Sequence, residues 1–296
     1  MNFGIMSSQT QLLIPGGIKP EELTAHLARF SYSDLIREII KSGFRTIELS
    51  GDLVLLLPHY FSKESINELL FLKNQYNLRF TVHLPLWSVE PSTPLETVRS
   101  GSVDALVQHI QIMRQLEPEI YVLHATGALA AEFYRMDLLK LAKAYLLDLF
   151  KENAISSIRK IISESGLQTR KLAIETIEFP LDLTLEIAQE LDLSICFDTG
   201  HILAGFSGDY DFFEALDLCI ARIAEIHLHD CPHQEDSIGY SQDHRPLGHG
   251  DLDVGKFLNI LDQEPFNGPV IFELAMAEAT ESIKYIQNLR SKSQAQ

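Results

Sequence analysis

Several short apolar segments of this sequence end in a histidine, an aspartate or a glutamate. Six such positions carry residues that could bind a metal ion: His83, His124, Glu175, Asp198, His227 and Glu273. His201, three residues after Asp198, and His244, in a later segment, complete the set. Ionisable groups at the ends of apolar segments are costly to bury unless they are paired or coordinate a cation. A mixed imidazole and carboxylate set without thiolates suits zinc, manganese or iron(II).

Each of these residues also has an ordinary structural explanation. A single histidine of this kind is more often hydrogen-bonded in a core than bound to a metal. Glu175 or Glu273 could cap a neighbouring helix, and Asp198-Thr199-Gly200 could be a simple turn. These explanations weaken if the residues meet in space, which depends on the elements that carry them.

Short β-rich segments alternate with longer amphipathic segments along the chain. The predicted strands lie near residues 2–7, 45–50, 79–84, 120–125, 171–176, 193–199, 224–229 and 269–274. The predicted helices lie near residues 31–42, 62–76, 95–116, 137–165, 181–191, 211–221, 254–261 and 278–290. Gly43 and Gly166 stand just past helical segments, where a left-handed cap is expected. Strict alternation of strands and helices implies a parallel sheet.

Several strand cores, such as residues 195–197 and 270–272, are apolar on both faces, as a sheet covered on both sides requires. An open doubly wound sheet is the competing fold, but no GxGxxG motif follows the first strand. We therefore predict an α/β protein with one (β/α)8 TIM-barrel domain spanning residues 1–296. In such a barrel all strands end on one rim, which would bring the histidines and carboxylates together.

The composition limits which classes of binding partner are expected. A net charge of −17 disfavours nucleic acid, because affinity for a polyanion comes largely from Lys and Arg. No signal peptide is apparent, and no apolar run is long enough to cross a membrane. The cysteines Cys196, Cys219 and Cys231 are expected to be reduced thiols. We therefore expect a cytoplasmic protein that acts on a small molecule, and its oligomeric state stays open.

Further polar residues have secondary roles in this prediction. Glu48 and His229 are expected to face the pocket and contact the substrate, and His249 to contact it from a rim loop. Arg245 is expected either to receive a substrate phosphate or to form a surface ion pair. The remaining histidines are expected at the surface: His26, His59, His109 and His233.

Several motifs resemble those of the xylose isomerase-like TIM-barrel superfamily, which includes endonuclease IV-type AP endonucleases and sugar (phosphate) isomerases and epimerases. They are Thr81-Val82-His83-Leu84-Pro85, Ala173-Ile174-Glu175-Thr176, Phe197-Asp198-Thr199-Gly200-His201, Glu225-Ile226-His227-Leu228-His229-Asp230, His244-Arg245-Pro246-Leu247-Gly248 and Ile271-Phe272-Glu273. For the isomerases and epimerases, the resemblance implies one metal held by Glu175, Asp198, His227 and Glu273. For the endonuclease IV type, it implies a three-zinc cluster that adds His83, His124, His201 and His244.

One motif departs from the endonuclease IV pattern. In Gln242-Asp243-His244 the carboxylate immediately precedes the histidine instead of standing two residues before it, so Asp243 is an uncertain ligand. A narrower resemblance is to cobamide-remodelling phosphodiesterases. It is carried by Phe3-Gly4-Ile5-Met6-Ser7, Leu13-Ile14-Pro15, His83-Leu84-Pro85-Leu86, Leu193-Ser194-Ile195-Cys196-Phe197-Asp198 and Asp243-His244-Arg245.

The leading hypothesis is metal-dependent hydrolysis of a small-molecule phosphodiester, such as the nucleotide-loop phosphodiester of cobamides. It uses two or three zinc ions, with Glu175, Glu273 and His201 as catalytic residues. The alternative is a sugar (phosphate) isomerase or epimerase with one metal ion, for which manganese or iron is possible. There Glu175 and Glu273 exchange a proton beside the carbonyl. An AP endonuclease acting on DNA, and a barrel that only binds a ligand, are less favoured.

Overall fold

Eight parallel strands close into a barrel in sequence order in the computed structural model, which describes residues 1–57, 60, 62–232 and 243–294. The strands are β1 (Asn2–Met6), β2 (Thr46–Ser50), β3 (Arg79–His83), β4 (Tyr121–Leu123), β5 (Leu172–Glu175), β6 (Ser194–Asp198), β7 (Ile223–Leu228) and β8 (Pro269–Phe272). The barrel closes where β1 pairs with both β2 and β8. The predicted (β/α)8 architecture is confirmed, and every predicted strand overlaps an observed one.

Helices connect the strands and pack their apolar faces against the barrel. The described helices are α1 (Thr10–Leu13), α2 (Pro20–Leu27), α3 (Tyr32–Lys41), α4 (Lys63–Tyr76), α5 (Glu96–Met113), α6 (Ala128–Arg135), α7 (Lys140–Ser165), α8 (Leu181–Glu190), α9 (Thr199–Leu203), α10 (Phe212–Cys219), α11 (Val254–Gln263) and α12 (Met276–Gln294). Ser31 and Asp34 begin α3 with reciprocal capping bonds. The predicted left-handed caps are confirmed at Gly43 and Gly166, with φ of 99° and 64°.

The register of strand pairing sets the position of the polar residues along the barrel axis. Glu175 pairs in register with Cys196, and Asp198 pairs with His227. Because side chains alternate along a strand, the residues two positions before His124, Glu175 and Asp198 form the next layer inside the barrel. These residues are Val122, Ala173 and Cys196, and they form a separate buried cluster. The layer is therefore apolar below His124, Glu175 and Asp198, whereas below His83 and His227 it holds Thr81 and Glu225, which are joined by a 2.9 Å hydrogen bond.

The surface prediction is wrong for His109, which is buried in α5. Burial, reinforced by the charge of His83, lowers the pKa of His109 to about 3, so it stays neutral. His26 is half-buried, and His59 and His233 lie outside the described residues. The three cysteines are buried free thiols. Within the described ranges, no helix has both the length and the apolar character needed to cross a bilayer.

Candidate metal centre

The strand-end residues meet on the floor of a cavity of about 770 Å³. Seven of the residues singled out from the sequence line this cavity: His83, His124, Glu175, His201, Asp243, His244 and Glu273. Asp198 and His227 are completely buried and contact Glu175 or its neighbours. The structure thus brings together all eight residues that were proposed as metal ligands.

His83 and His124 share one carboxylate oxygen of Glu175. Their Nε2 atoms lie 3.0 and 2.9 Å from Glu175 Oε2. His83 Nδ1 lies 3.0 Å from the carbonyl oxygen of Leu84, and a carbonyl only accepts, so Nδ1 carries a proton. Burial alone would lower the pKa of His83, but the hydrogen bond and charge of Glu175 outweigh burial and raise it to about 9.

His227 Nδ1 faces three carboxylates. It lies 3.3 Å from Glu273 Oε1, 3.6 Å from Glu175 Oε1 and 3.7 Å from Asp198 Oδ2. On the other side of the ring, Nε2 lies 3.2 Å from Glu48 Oε2. Nε2–H donates to Glu48, and Nδ1 makes no hydrogen bond within the described chain, so the anionic oxygens around it repel one another unless a proton or an ion lies there. A cation between these atoms would remove that repulsion.

Asp243, His201 and His244 form another side of the floor. Asp243 Oδ1 lies 3.2 Å from His244 Nδ1, and Asp243 Oδ2 lies 3.6 Å from His201 Nε2. His244 Nε2 lies 3.1 Å from Glu273 Oε2. The backbone of His244 has φ of 56°, which residues other than glycine rarely adopt, and this turn carries both side chains to the floor. Asp243 therefore reaches the site although it directly precedes His244.

His229 lies beneath this side of the floor, in space that Gly200 leaves open. A Cβ at position 200 would overlap the His229 ring. His229 Nε2 lies 3.0 Å from Asp198, and Nδ1 accepts a hydrogen bond from the backbone N–H of His244 at 2.9 Å. The rings of His229 and His244 stack with centroids 4.2 Å apart. His229 thus orients Asp198 and His244. It does not line the cavity, so the expected contact with substrate is not seen.

The donor set fits divalent metal ions. Donor atoms about 2.0–2.2 Å from a common ion lie roughly 3–3.6 Å from one another in a tetrahedral arrangement, close to the contacts of His227 Nδ1. Donor atoms within 4.8 Å of one another form four overlapping groups: His83, His124 and Glu175; Glu175, Asp198, His201 and Glu273; His201, His229, His244 and Glu273; Glu48, His227 and Glu273. All donors are nitrogen or oxygen, which suits zinc, manganese and iron without selecting one.

Three further predictions of substrate contact are not met by the structure. Glu48 is completely buried against His227, below the residues that line the cavity. His249 is exposed and pairs with Glu281 on α12 at 3.1 Å. Arg245 is exposed outside the cavity lining, and its backbone pairs with Asp230. These positions leave the phosphate-binding role of Arg245 without structural support.

Asp52 and Trp87 are among the cavity residues that the sequence analysis did not single out. Asp52 follows β2, and its carboxylate accepts hydrogen bonds from the backbone N–H groups of Leu86 at 3.0 Å and Trp87 at 3.4 Å. Trp87 itself lines the cavity mouth. Both residues lie just after strand ends, so their place on the functional rim was the available signal.

Comparison with known proteins agrees with the fold. The sequence profile of the Xylose isomerase-like TIM barrel family matches residues 36–289. The chain belongs to this family. Two uncharacterized proteins of Methanocaldococcus jannaschii are similar to it. One is 26% identical over 225 residues, covering 73% of this chain and 71% of the relative. The other is 24% identical over 226 residues, covering 74% of this chain and 79% of the relative.

Solved structures of the same fold include several sugar epimerases. A D-tagatose 3-epimerase-like protein superposes with a TM-score of 0.72 at 20% identity, covering 98% of this chain and 97% of the other. D-psicose 3-epimerase from Clostridium cellulolyticum H10, crystallised with D-tagatose, gives a TM-score of 0.69 at 15% identity, covering 98% and 99%. L-ribulose 3-epimerase gives 0.66 at 15% identity, covering 99% and 97%. At these identities the likeness shows the fold.

Proposed function

We propose that this protein is a divalent-metal-dependent isomerase or epimerase of a sugar. The observation that carries the proposal is the pair of buried glutamates, Glu175 and Glu273, on the cavity floor. An oxygen of each lies within 4.8 Å of the other, and both approach His227 Nδ1. Two carboxylates on one floor suit the removal and return of a proton on one substrate. The sugar epimerases among the proteins of similar fold support this reaction class.

In this proposal Glu175, Asp198, His227 and Glu273 hold the cation, whose charge polarises the substrate's carbonyl and hydroxyl oxygens when bound. One glutamate removes the proton from the carbon beside the carbonyl. The other, which takes up a proton from solvent beforehand, gives that proton to the opposite face of the carbon and so inverts its configuration, and the first glutamate then releases its proton to solvent. Burial alone would raise the pKa of Glu175, but the charges of His124 and His227 hold it well below its usual range. Glu175 is therefore ionised and ready to act as the base.

Proton exchange tests this proposal directly. The metal-loaded protein is incubated with a panel of ketoses in D2O, and deuterium at the carbon beside the carbonyl is measured by NMR. Glu175→Gln and Glu273→Gln should each slow the exchange at least about 100-fold, as expected for loss of a general base or acid. Because both residues are also candidate ligands, metal content is measured on the same samples. Glu281→Gln, an exposed change on α12, is the control. Absence of exchange with every ketose, metal being bound, would reject the proposal.

One observation favours a second candidate, hydrolysis of a phosphodiester. His83 and His124 meet on Glu175 in addition to the four residues that one cation needs, so the floor offers donors for more than one ion. Two or three metal equivalents per chain support hydrolysis, and one supports isomerisation. Under the hydrolase hypothesis, His83→Ala and His124→Ala should each abolish cleavage of a nitrophenyl phosphodiester. A cobamide belongs in the same substrate panel.

The composition of the chain supports a proposed substrate class and cellular compartment. The net charge of −17 supports a small-molecule substrate over a nucleic acid. The free thiols of Cys196, Cys219 and Cys231 support a reducing compartment, and we place the activity in the cytoplasm.

A further inference from the structure

The cavity above the metal centre has one strongly apolar wall. Two neighbouring loops, after β2 and after β3, supply Leu53, Leu55, Leu56, Leu86 and Trp87 to its lining. Leu55 is 55% exposed and Trp87 is 75% exposed. Large apolar side chains that are grouped at a cavity mouth and left open to water mark a surface that a ligand covers.

This wall is fixed in place by polar contacts behind it. The nearly buried carboxylate of Asp52 accepts the hydrogen bonds from Leu86 and Trp87 and so ties the two loops together. Gly51 packs so closely on Pro85 that a Cβ at position 51 would collide with the proline ring. The apolar surface is therefore pre-formed, and a ligand need not order the loops to use it.

Apart from the histidines of the candidate metal centre, the described cavity lining offers no basic side chain to an anionic substrate group. Among the described residues no lysine or arginine lines it, and residues 58, 59, 61, 233–242, 295 and 296 contain none. Helix N-termini, the usual backbone site for phosphate, are already engaged around the floor. Near the starts of α6, α9 and α12, backbone N–H groups donate to Glu90, Asp198 and Glu278. Apart from a bound cation, nothing described on the cavity wall is built to hold a phosphate.

We infer that the substrate is an uncharged sugar that carries an apolar substituent. The sugar lies on the floor between Glu175 and Glu273, and the substituent lies along Leu55, Leu86 and Trp87. The volume of about 770 Å³ belongs to the range of pockets that enclose drug-sized ligands and exceeds what one sugar ring fills. This inference rests on the proposed function for the sugar half of the substrate, and on the cavity wall for the apolar half.

Trp87 makes the test direct, because it is the only tryptophan in the chain. Its fluorescence is followed while the metal-loaded protein is titrated with hexyl β-D-glucoside, glucose, glucose 6-phosphate and hexanol, all below any micelle concentration. The glucoside should shift the emission to the blue and bind at least about tenfold more tightly than each of the other three, because the hexyl chain adds buried apolar area. Leu55→Ser should weaken glucoside binding about tenfold without changing metal content. Leu141→Ser, at an 85% exposed position outside the cavity lining, is the matched control and should change neither.

The outcomes separate this inference from the proposed reaction. Glucose 6-phosphate binding as tightly as the glucoside, or glucose binding as tightly, would overturn the inference. Hexanol binding as tightly as the glucoside would show that the sugar adds no affinity, and it would overturn the sugar half of the inference. Deuterium exchange on free ketoses with no gain from the hexyl group would leave the proposed function standing and reject the substrate class. Tight glucoside binding in a protein that exchanges no proton on any sugar would reject the reaction and keep the substrate class.

Discussion

At the scale of single residues, His227 shows how a buried imidazole is prepared for a cation. Glu48 Oε1 accepts the Nε2–H of the ring at 3.4 Å and thereby keeps a proton on that nitrogen. The other nitrogen, Nδ1, is left to face Glu175, Asp198 and Glu273. A carboxylate behind a ligating histidine typically orients the ring and raises its basicity. Glu48 would therefore act on a bound metal through His227.

Glu48→Gln tests this positioning role. The amide keeps the size of the side chain but removes its charge, so His227 becomes less basic and loses its fixed orientation. We expect metal affinity to fall about 10- to 100-fold, the usual effect of removing such a partner. Competition against a chromogenic chelator measures it, and the circular dichroism spectrum shows whether the barrel is intact. Unchanged affinity in a folded variant would show that Glu48 only fills space, and Glu281→Gln should behave as the wild type.

The depth of Glu48 also shows what the sequence could not reveal at this scale. The ligands at strand ends were predictable, because a barrel puts the ends of its strands on one rim. Glu48, however, lies two residues before the end of β2 at Ser50, so it belongs to a lower layer than the cavity floor. His249 was misplaced for another reason. It lies in a loop, where no periodicity indicates which side of the chain faces the pocket.

At the scale of elements, the segment after β7 is organised by Asp230. Its buried carboxylate accepts hydrogen bonds from four backbone N–H groups: Cys231, Gly248, Gly250 and Leu252. Asp230 also pairs with Arg245 through two backbone hydrogen bonds. These bonds hold the turn that carries Asp243 and His244 to the cavity floor. In this part of the rim, the hydrogen bonds to one carboxylate thus hold the backbone in place where no helix or strand does.

Asp230→Asn should loosen this turn. An amide presents one acceptor oxygen and an NH2 group, so part of the buried N–H set loses its partner. We expect a loss of about 3 kcal/mol in the free energy of unfolding, in line with buried donors left unsatisfied beside a lost charge. Urea unfolding measures it, and metal titration should show weakened binding on the His244 side. Asp253→Asn is the matched control, because asparagine caps a helix as well as aspartate does, and it should stay within about 0.5 kcal/mol. Equal stability of both variants would contradict the role given to Asp230.

The elements also differ in how far the sequence could predict them. All eight strands were found because several strand cores are apolar on both faces and the strands alternate with long helices. The helices α1, α2, α6 and α9 were not found. The first and the last span four and five residues, too few to show a helical period, and α2 buries none of its residues. Helices that pack loosely or replace a loop lack the apolar face on which such a prediction depends.

At the scale of the whole molecule, the acidic charge and the candidate metal centre are linked. The chain carries a net charge of −17, and several of its carboxylates converge on one floor, where histidines are their counter-charges. Burial alone would lower the pKa of His83 and His244, but contacts with carboxylates outweigh burial and raise both values. Protons and metal ions therefore compete for the same nitrogens, and cation binding must release protons at neutral pH.

This competition predicts opposite pH dependences with and without metal. The pKa of His83 is raised from 6.5 to about 9 in the fold, so its contribution to stability is complete below about pH 6.5 and is lost as pH rises through 9. In chelator, the free energy of unfolding should fall between pH 6.5 and 9, with His83 contributing on the order of 3 kcal/mol. With saturating zinc or manganese the decline should disappear, because deprotonated histidines bind the ion better. Urea unfolding at several pH values measures both curves, and His83→Gln should flatten the curve in chelator. A chelated protein whose stability holds or rises across this range would show that the histidines on the floor do not carry the protons assigned to them.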